Sequence, residues 1–501
     1  MSHSTVTRAG RREWAGLAVL VLPTLLLSID MSVLHLASPK LSADLRPSAT
    51  QLLWINDVYG FLVAGLLITM GTLGDRIGRR RLLLIGGAAF GLASLLAAYA
   101  PTAELLIAAR ALLGVAGATL MPSTLSLIRT MFHDPAQRTV AISAWMTGFT
   151  GGMVLGPVVG GLLLENFWWG SVFLLGVPVM AVLLVAGPLL LPEYRAPDPG
   201  RLDGVSVLLS LAAIMAMTYG LKEIAAYGPS AAAVLVLLAG VAGAVVFAGR
   251  QRRLADPLLD LKLFAERRFS VSLGALMLVI LAGPGIGLLA AQYLQLVLGL
   301  SPLEAGLWSL PPSIAVALGI VVTPLLARWV RPAVLICSGL AVSAAGMLLV
   351  SLASTESGLA AVVTGQALFF VGNSPLLVLG TDLIVGSAPP ERSGSASSLS
   401  ETVQEFGAAF GLAVFGSVAA AVYRAGVNVP AGLPEQDAAQ AADTLGGAAE
   451  AAGRVGGPAA EELLASAGAA FTGGLQISAV VGAGLALAAA TLVAVFLRNL
   501  R

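Results

Sequence analysis

Five carboxylic acids fall inside long apolar runs of this chain: Asp30, Asp57, Asp382, Glu401 and Glu405. An ionised carboxylate in hydrocarbon is expensive, so an acid kept there faces a cavity or a partner and marks a proton or ion pathway. Asp30 lies about 24 Å along a helix that starts near residue 14, in the outer half of a bilayer. Asp57 and Arg110 each enter about six residues from the same surface, at about 9 Å. These three are candidates for one buried polar cluster. A movement that alters the separation of Asp30 and Arg110 alters the carboxylate's proton affinity, which is what coupling a substrate to a proton requires. The alternative is a static structural ion pair.

Glu401 and Glu405 are four residues apart and share one helix face. No base in that run compensates them. Such a face suits a hydrophobic cation, which takes a carboxylate for its charge and aromatic rings for cation–π contact. Candidate aromatic walls are Trp54, Tyr59, Trp145, Phe149, Tyr293 and Trp308; at span ends the same residues act as interfacial anchors. Asp382 stands near one end of its run, where it can snorkel. His35 is read as a wet boundary residue, and Gln292 and Asn373 as polar orienting groups.

Positioning these groups is a matter for membrane helices. With 57% hydrophobic and 11% charged residues and a mean hydropathy of +0.90, the chain has too little polar surface to face water as a globule. Apolar runs predict fourteen transmembrane helices, near 14–36, 52–72, 82–100, 104–128, 138–163, 168–191, 204–221, 230–249, 270–293, 305–327, 332–353, 358–386, 395–423 and 471–497. The first lacks a small-residue cleavage site and is read as a retained helix. Arginines crowd the loops of one side, whereas Lys40, Arg46, Lys222, Arg424 and Arg454 are the basic residues of the other. By the positive-inside rule both termini are cytoplasmic. The single Cys337 excludes an intrachain disulfide.

Two glycine-bearing segments stand out. Gly148–Gly161 reads GFTGGMVLGPVVGG, with Gly148, Gly152, Gly156 and Gly160 at four-residue intervals and Pro157 and Gly161 among them. That stripe removes side chains from one slanting helix face and admits a neighbouring backbone. The loop Gly71–Leu84, GTLGDRIGRRRLLL, combines turn-forming Gly71 and Gly78 with Asp75, Arg76 and Arg79, a set able to contact neighbouring helix ends and hold one side shut. It has a weak echo in Thr323–Ile336. If the two loops correspond, residues 1–191 form one six-helix half, 269–501 the other, and 192–268 an inserted helix pair with its linkers. Two such halves imply a central site exposed alternately to each side. The loop at about 425–470, rich in Ala, Gly and acids, is expected to be an acidic, partly helical extracellular cap.

These segments carry a family resemblance. Gly71–Arg81 resembles the signature loop of the major facilitator superfamily, and Gly148–Gly161 resembles the fifth-helix motif of its antiporters. SIDMSVLHLASP (28–39) and LIAARALLGVAGATLMP (106–122) are similar to two further signatures of the drug:proton antiporters, and fourteen helices indicate that family's quaternary-ammonium and dye exporters. The resemblance implies an all-α integral membrane fold of two six-helix halves plus two inserted helices. It also implies acids at the positions of Glu401 and Glu405. The LASPK ending of the first span departs from the family's pattern, and the tenth span lacks the acid that some exporters of divalent cations carry.

No phosphate-binding lysine loop, metal-ligand spacing or catalytic triad is present. The expectation is a non-enzymatic, proton-driven multidrug antiporter of a bacterial plasma membrane that exports lipophilic cations. Asp30 and Arg110 handle the proton, and Glu401 and Glu405 meet the substrate. Its partners are those cations, protons and the lipid bilayer, with no cofactor and no nucleic acid, and a monomer suffices. Rival readings are a dedicated exporter of one metabolite or self-made antibiotic, and a non-transporting membrane sensor.

Overall fold

A computed structural model describes residues 8–497 apart from 46, 48, 196–202, 229, 256, 260, 301, 356, 390–392 and 432. Within helices, the side chains of Asp57, Pro157 and His35 lie outside what it describes. Among the described residues every regular element is helical, as a bilayer demands when each backbone group must be satisfied within its own segment.

The first eight are α1 (Arg11–Leu45), α2 (Ala49–Ile77), α3 (Arg79–Ala98), α4 (Ala103–Met131), α5 (Pro135–Asn166), α6 (Gly176–Leu190, after a turn at Ser171–Leu174), α7 (Gly204–Tyr227) and α8 (Ala231–Gln251). They are followed by α9 (Arg267–Gln292, extended by a π turn at Tyr293–Val297), α10 (Leu310–Leu326), α11 (Pro332–Val350) and α12 (Leu359–Pro375). α12 continues through a π turn at Leu376–Gly380 to Thr381–Ser387. Last come α13 (Ser393–Gly426), two short helices α14 (Glu435–Asp443) and α15 (Leu445–Val455), and α16 (Gly457–Phe496). Among the described residues thirteen helices are long and apolar enough to cross a membrane, and α5, bent by 42°, makes a fourteenth when its two parts are taken as one span.

The helices gather round separate cores. Leu20, Leu83, Leu127, Ile142 and Leu183 bind α1 and α3–α6 together, while Ile286, Met347, Phe369, Phe415 and Leu475 knit α9, α11, α12, α13 and α16. α7 and α8 pair with each other, and α7 lies against both α2 and α13, along the seam between the two groups. Close approach is bought with glycine. A Cβ at Gly152 would sit 2.3 Å from the Leu25 carbonyl oxygen, and one at Gly148 2.4 Å from Val21, so α5 rides directly on α1. A Cβ at Gly411 would fall within 1.9 Å of the Leu281 carbonyl, which brings α13 onto α9 in the same way. Gly161 takes no part, since a Cβ there meets nothing within 4 Å.

The 425–470 segment is more ordered than composition alone indicates. Its second helix-prone stretch is not a separate short helix but the start of α16, because Pro458 occupies the first turn and nothing interrupts the chain from there to Phe496. Gly456 and Gly457, with φ of +66° and +67°, make the break from α15. Buried Ala441, Ala448 and Ala451 seat the cap on the α9–α16 core, and the Tyr423 hydroxyl donates to the Ala441 carbonyl at 2.8 Å.

Candidate functional site

Asp30 on α1 and Arg110 on α4 meet inside the α1–α6 group. Arg110 Nη1 donates to Asp30 Oδ2 at 2.6 Å, and its Nε donates to the Ile55 carbonyl at 3.2 Å. The guanidinium lies 4.7 Å over the Tyr59 ring and 5.9 Å from Phe173. Arg110 is 1% exposed, whereas the Asp30 side chain keeps 11% of its surface open. The cation is therefore fixed by an acid, a carbonyl and two rings, and the acid retains access. Two backbone approaches set this geometry. The glycine stripe of α5 holds α1, and Gly114 brings α4 onto α2, its added Cβ lying 2.8 Å from the Tyr59 carbonyl. Asp57, the third acid expected here, has its side chain outside the described residues.

The acids of α13 stand across the seam. Glu401 is 4% exposed, and neither carboxylate oxygen has a hydrogen-bond partner among the described residues. A carboxylate sealed in that way is costly unless a proton or a cation accompanies it. Glu405, one turn further on the same helix, is half-buried. α13 packs against α2, the helix that carries Tyr59.

The remaining aromatic candidates divide. Trp145 is buried, its indole donating to Thr124 Oγ1 at 3.0 Å, and Phe149 is half-buried one turn along α5. Trp54 is 42% exposed and starts an edge-to-face ladder through Phe61 to Tyr219 of α7. Trp308 is 43% exposed. Tyr293 is fully buried within the α9–α16 core, and its hydroxyl donates to the Ser354 carbonyl. The structure sets Tyr293 apart from a cavity wall because both its ring and its hydroxyl are already occupied. One pair escaped the sequence reading: Phe406 and Phe410 stack at 6.0 Å beside Glu405. Their four-residue spacing next to an intramembrane acid was the available signal.

At the arginine-rich end, hydrogen bonds join the two groups of helices. Asp75 accepts from Arg79 Nη2 at 2.6 Å and from the Ser395 backbone N–H, in the first turn of α13, at 3.3 Å. A carboxylate at a helix N-terminus is favourable, because it meets unsatisfied N–H groups and the positive end of the macrodipole. Arg79, 1% exposed, also donates to the Ser126 carbonyl at 3.4 Å and lies 5.0 Å from the Tyr194 ring. Gly78 has φ +108°, and a Cβ there would lie 2.6 Å from Glu193 Oε1, so only glycine fits the turn. Gly71 forms no turn: the helix runs on through it to Ile77, so Gly71 is buried and Arg76 half-buried within α2, and the turn falls at Gly78 alone.

Asp382 does not snorkel. It is buried and paired with Arg138 of α5, and it also accepts from Thr139 Oγ1 at 3.0 Å. Arg129 donates to the Val385 carbonyl, Ser143 to the Ile320 carbonyl, and Ser126 and Ser397 meet at 3.4 Å.

A multi-pass helical protein with two helix groups latched at one end and buried charges along their seam is a membrane transporter rather than an enzyme. The chain belongs to the Major Facilitator Superfamily, whose family model matches residues 20–412. It is 46% identical to the multidrug efflux pump LfrA of Mycolicibacterium smegmatis, covering 99% of this chain and 98% of that protein. It is 36% identical to the methyl viologen resistance protein SmvA of Salmonella typhimurium over 88% of this chain and 89% of that one. Identity to the tetracenomycin C resistance and export protein of Streptomyces glaucescens is 31%, over 100% and 94%. In fold it is similar to the human organic anion transporter MFSD10, with a TM-score of 0.60 at 16% identity over 96% and 99% of the two chains.

Proposed function

We propose that this chain is a proton-coupled multidrug efflux antiporter that exports lipophilic cations by alternating access. One observation carries the reading: the Asp30–Arg110 pair and a Glu401 carboxyl with no hydrogen-bond partner among the described residues are buried on helix groups that meet where α13 packs against α2. A cation at Glu401 and Glu405 compensates the buried charge that a proton otherwise compensates, so substrate and proton compete. Reprotonation is completed by a proton entering from outside through Asp30, which exchanges Arg110 for hydrogen. Exchange of one proton for one monovalent cation moves no net charge, so it is driven by the pH difference, about 1.4 kcal/mol per unit; each further proton adds about 2.3 kcal/mol per 100 mV of membrane potential. No bound cofactor is needed.

The Arg76–Arg81 end is cytoplasmic, with both termini on that side of a bacterial plasma membrane. The halves 1–191 and 269–501 rock about the central site, and residues 192–268 line the seam. Gly71, Asp75, Arg76, Gly78 and Arg79 gate the cytoplasmic side, and the stripe of Gly148, Gly152, Gly156 and Gly160 guides α5 on α1, with Pro157 within it and Gly161 outside the contact. Support for cationic cargo comes from the relative named for resistance to methyl viologen, a dication. A dedicated antibiotic exporter is the second reading, favoured by the relative named for tetracenomycin C.

The test is ethidium-driven proton release in inverted vesicles. The parent is expected to exchange dye for protons, Asp30→Asn to be silent, and Glu401→Gln to lose dye affinity while still exchanging at high dye. A parent that moves neither ethidium nor other unrelated cations refutes the multidrug reading.

A further inference from the structure

Two clefts open at the arginine-rich end, and neither belongs to the transport site. The larger, about 630 Å³, is lined by Arg8, Trp14, Asp134, Gln137, Val140 and Arg328. The smaller, about 370 Å³, shares Arg8 and is lined by Arg12, Glu13 and His133. The larger cleft straddles the seam, because Arg8, Trp14 and Gln137 precede or belong to α1 and α5, whereas Arg328 lies between α10 and α11.

Its walls are held in place. The Ala9 N–H donates to Gln137 Oε1 at 2.8 Å, which ties the segment before α1 to α5. Arg12 donates to the Leu189 carbonyl at 2.9 Å, and Trp14 packs edge-to-face on Phe132 at 5.0 Å. No carboxylate among the described residues pairs with Arg8 or Arg328. The acid that lines the cleft, Asp134, is turned to the Ala136 N–H at the start of α5. Two arginines against one acid leave a single net positive charge.

The level of the cleft also matters. Arg8 stands three residues before α1, and Arg328 two residues after α10, beside Trp329, which is 79% exposed. Exposed tryptophans and arginines at span ends mark the headgroup layer of a bilayer. A cleft with apolar walls of Trp14 and Val140 and cationic groups at its rim fits an amphiphile better than a small soluble anion.

We propose that this cleft binds the headgroup of an anionic phospholipid, its phosphodiester held between Arg8 and Arg328 and its glycerol and first acyl carbons against Trp14 and Val140. One phosphodiester balances the net charge of the cleft. Because the two arginines come from different helix groups, the lipid clips those groups together at this end. By linkage it stabilises the arrangement in which the arginine-rich end is shut.

The test uses the purified full chain in neutral detergent, titrated with phosphatidylglycerol, phosphatidylcholine or inorganic phosphate, with thermal unfolding and native mass spectrometry as readouts. Phosphatidylglycerol is expected to raise Tm and to be retained on the protein, and the other two are not. Arg8→Gln with Arg328→Gln is expected to leave Tm in detergent alone unchanged and to weaken phosphatidylglycerol binding by about 30-fold, equivalent to about 1 kcal/mol for each arginine. Retention of the full phosphatidylglycerol response by the double variant overturns the site. An equal response to phosphatidylcholine overturns the role of charge, and an equal response to inorganic phosphate shows a soluble-anion site and overturns the lipid.

Discussion

Gly152→Ala is the smallest change that separates a working α1–α5 contact from a decorative one. The added methyl would stand 2.3 Å from the Leu25 carbonyl oxygen and 2.0 Å from Ser28 Oγ. The serine can rotate away, but the carbonyl is backbone, so α1 must retreat by about 1 Å to restore ordinary contact. Overpacking of this kind costs about 1–3 kcal/mol, partly offset by the roughly 1 kcal/mol that alanine gains over glycine in helix propensity. Leu25 is five residues before Asp30, so the retreat also stretches the 2.6 Å Asp30–Arg110 bond. Misplacement of a reacting group by 1 Å can cost about 100-fold in rate, and we expect ethidium efflux to fall by at least about tenfold. The matched control is Gly161→Ala, whose methyl meets nothing within 4 Å. Efflux and Tm of both variants are measured in the same vesicles and detergent. If Gly152→Ala is as active as Gly161→Ala, α1 does not depend on the stripe and the argument fails.

Three further outcomes are expected. Asp382→Asn leaves Arg138 without its acid and loosens the latch; in a Cys337→Ser background, Ser397→Cys should then react with an impermeant maleimide about tenfold faster, a shift of about 1.4 kcal/mol, and an unchanged rate removes Asp382 from the latch. Glu401→Gln should lower dye affinity without lowering Tm, because the carboxyl it replaces has no hydrogen-bond partner among the described residues; a clear loss of Tm would reveal a structural role instead. Asp203, which caps α7, is held well below the usual carboxylate range by hydrogen bonds from Arg250 and then from Ser206. Since its folded-state pKa is depressed, its contribution is whole above about pH 4 and is lost as pH falls through the folded value. The Tm gap between the parent and Asp203→Asn should therefore be flat from about pH 5 to 8, and a gap that closes near neutrality contradicts the pairing.

Much of this molecule is written locally. Membrane helices are legible because the bilayer requires about 20 apolar residues whatever the neighbours are. Asp30, Arg110 and Glu401 are legible because charge inside such a run is costly and needs a reason. Asp75 could be flagged as an acid needing a partner within a basic loop, and Arg79, one turn away, supplies it. Partners distant in sequence are another matter. Arg138 is 244 residues from Asp382, and nothing local announces that pairing. Tyr293 shows a second limit, since an aromatic at a span end suits a cavity, an interface or a core equally well, and only the surrounding packing chooses. The cap shows a third: alanine-rich, acidic stretches announce helices, but not that one of them continues unbroken into the membrane as α16.

α13 is the element on which the proposed cycle turns. Its first turn donates to Asp75 at the arginine-rich end, and Glu401 and Glu405 follow about two to three turns further along the same rigid rod. The rod cannot tilt at the acids without straining its contact with Asp75, and it cannot leave Asp75 without shifting the acids against α2. Asp75 is itself shared with Arg79, so release of α13 returns that carboxylate wholly to the guanidinium and keeps its charge compensated in both states. Opening the latch therefore exposes a helix N-terminus to water rather than a bare buried charge, and the cost of opening stays small enough for a bound cation or proton to decide the balance.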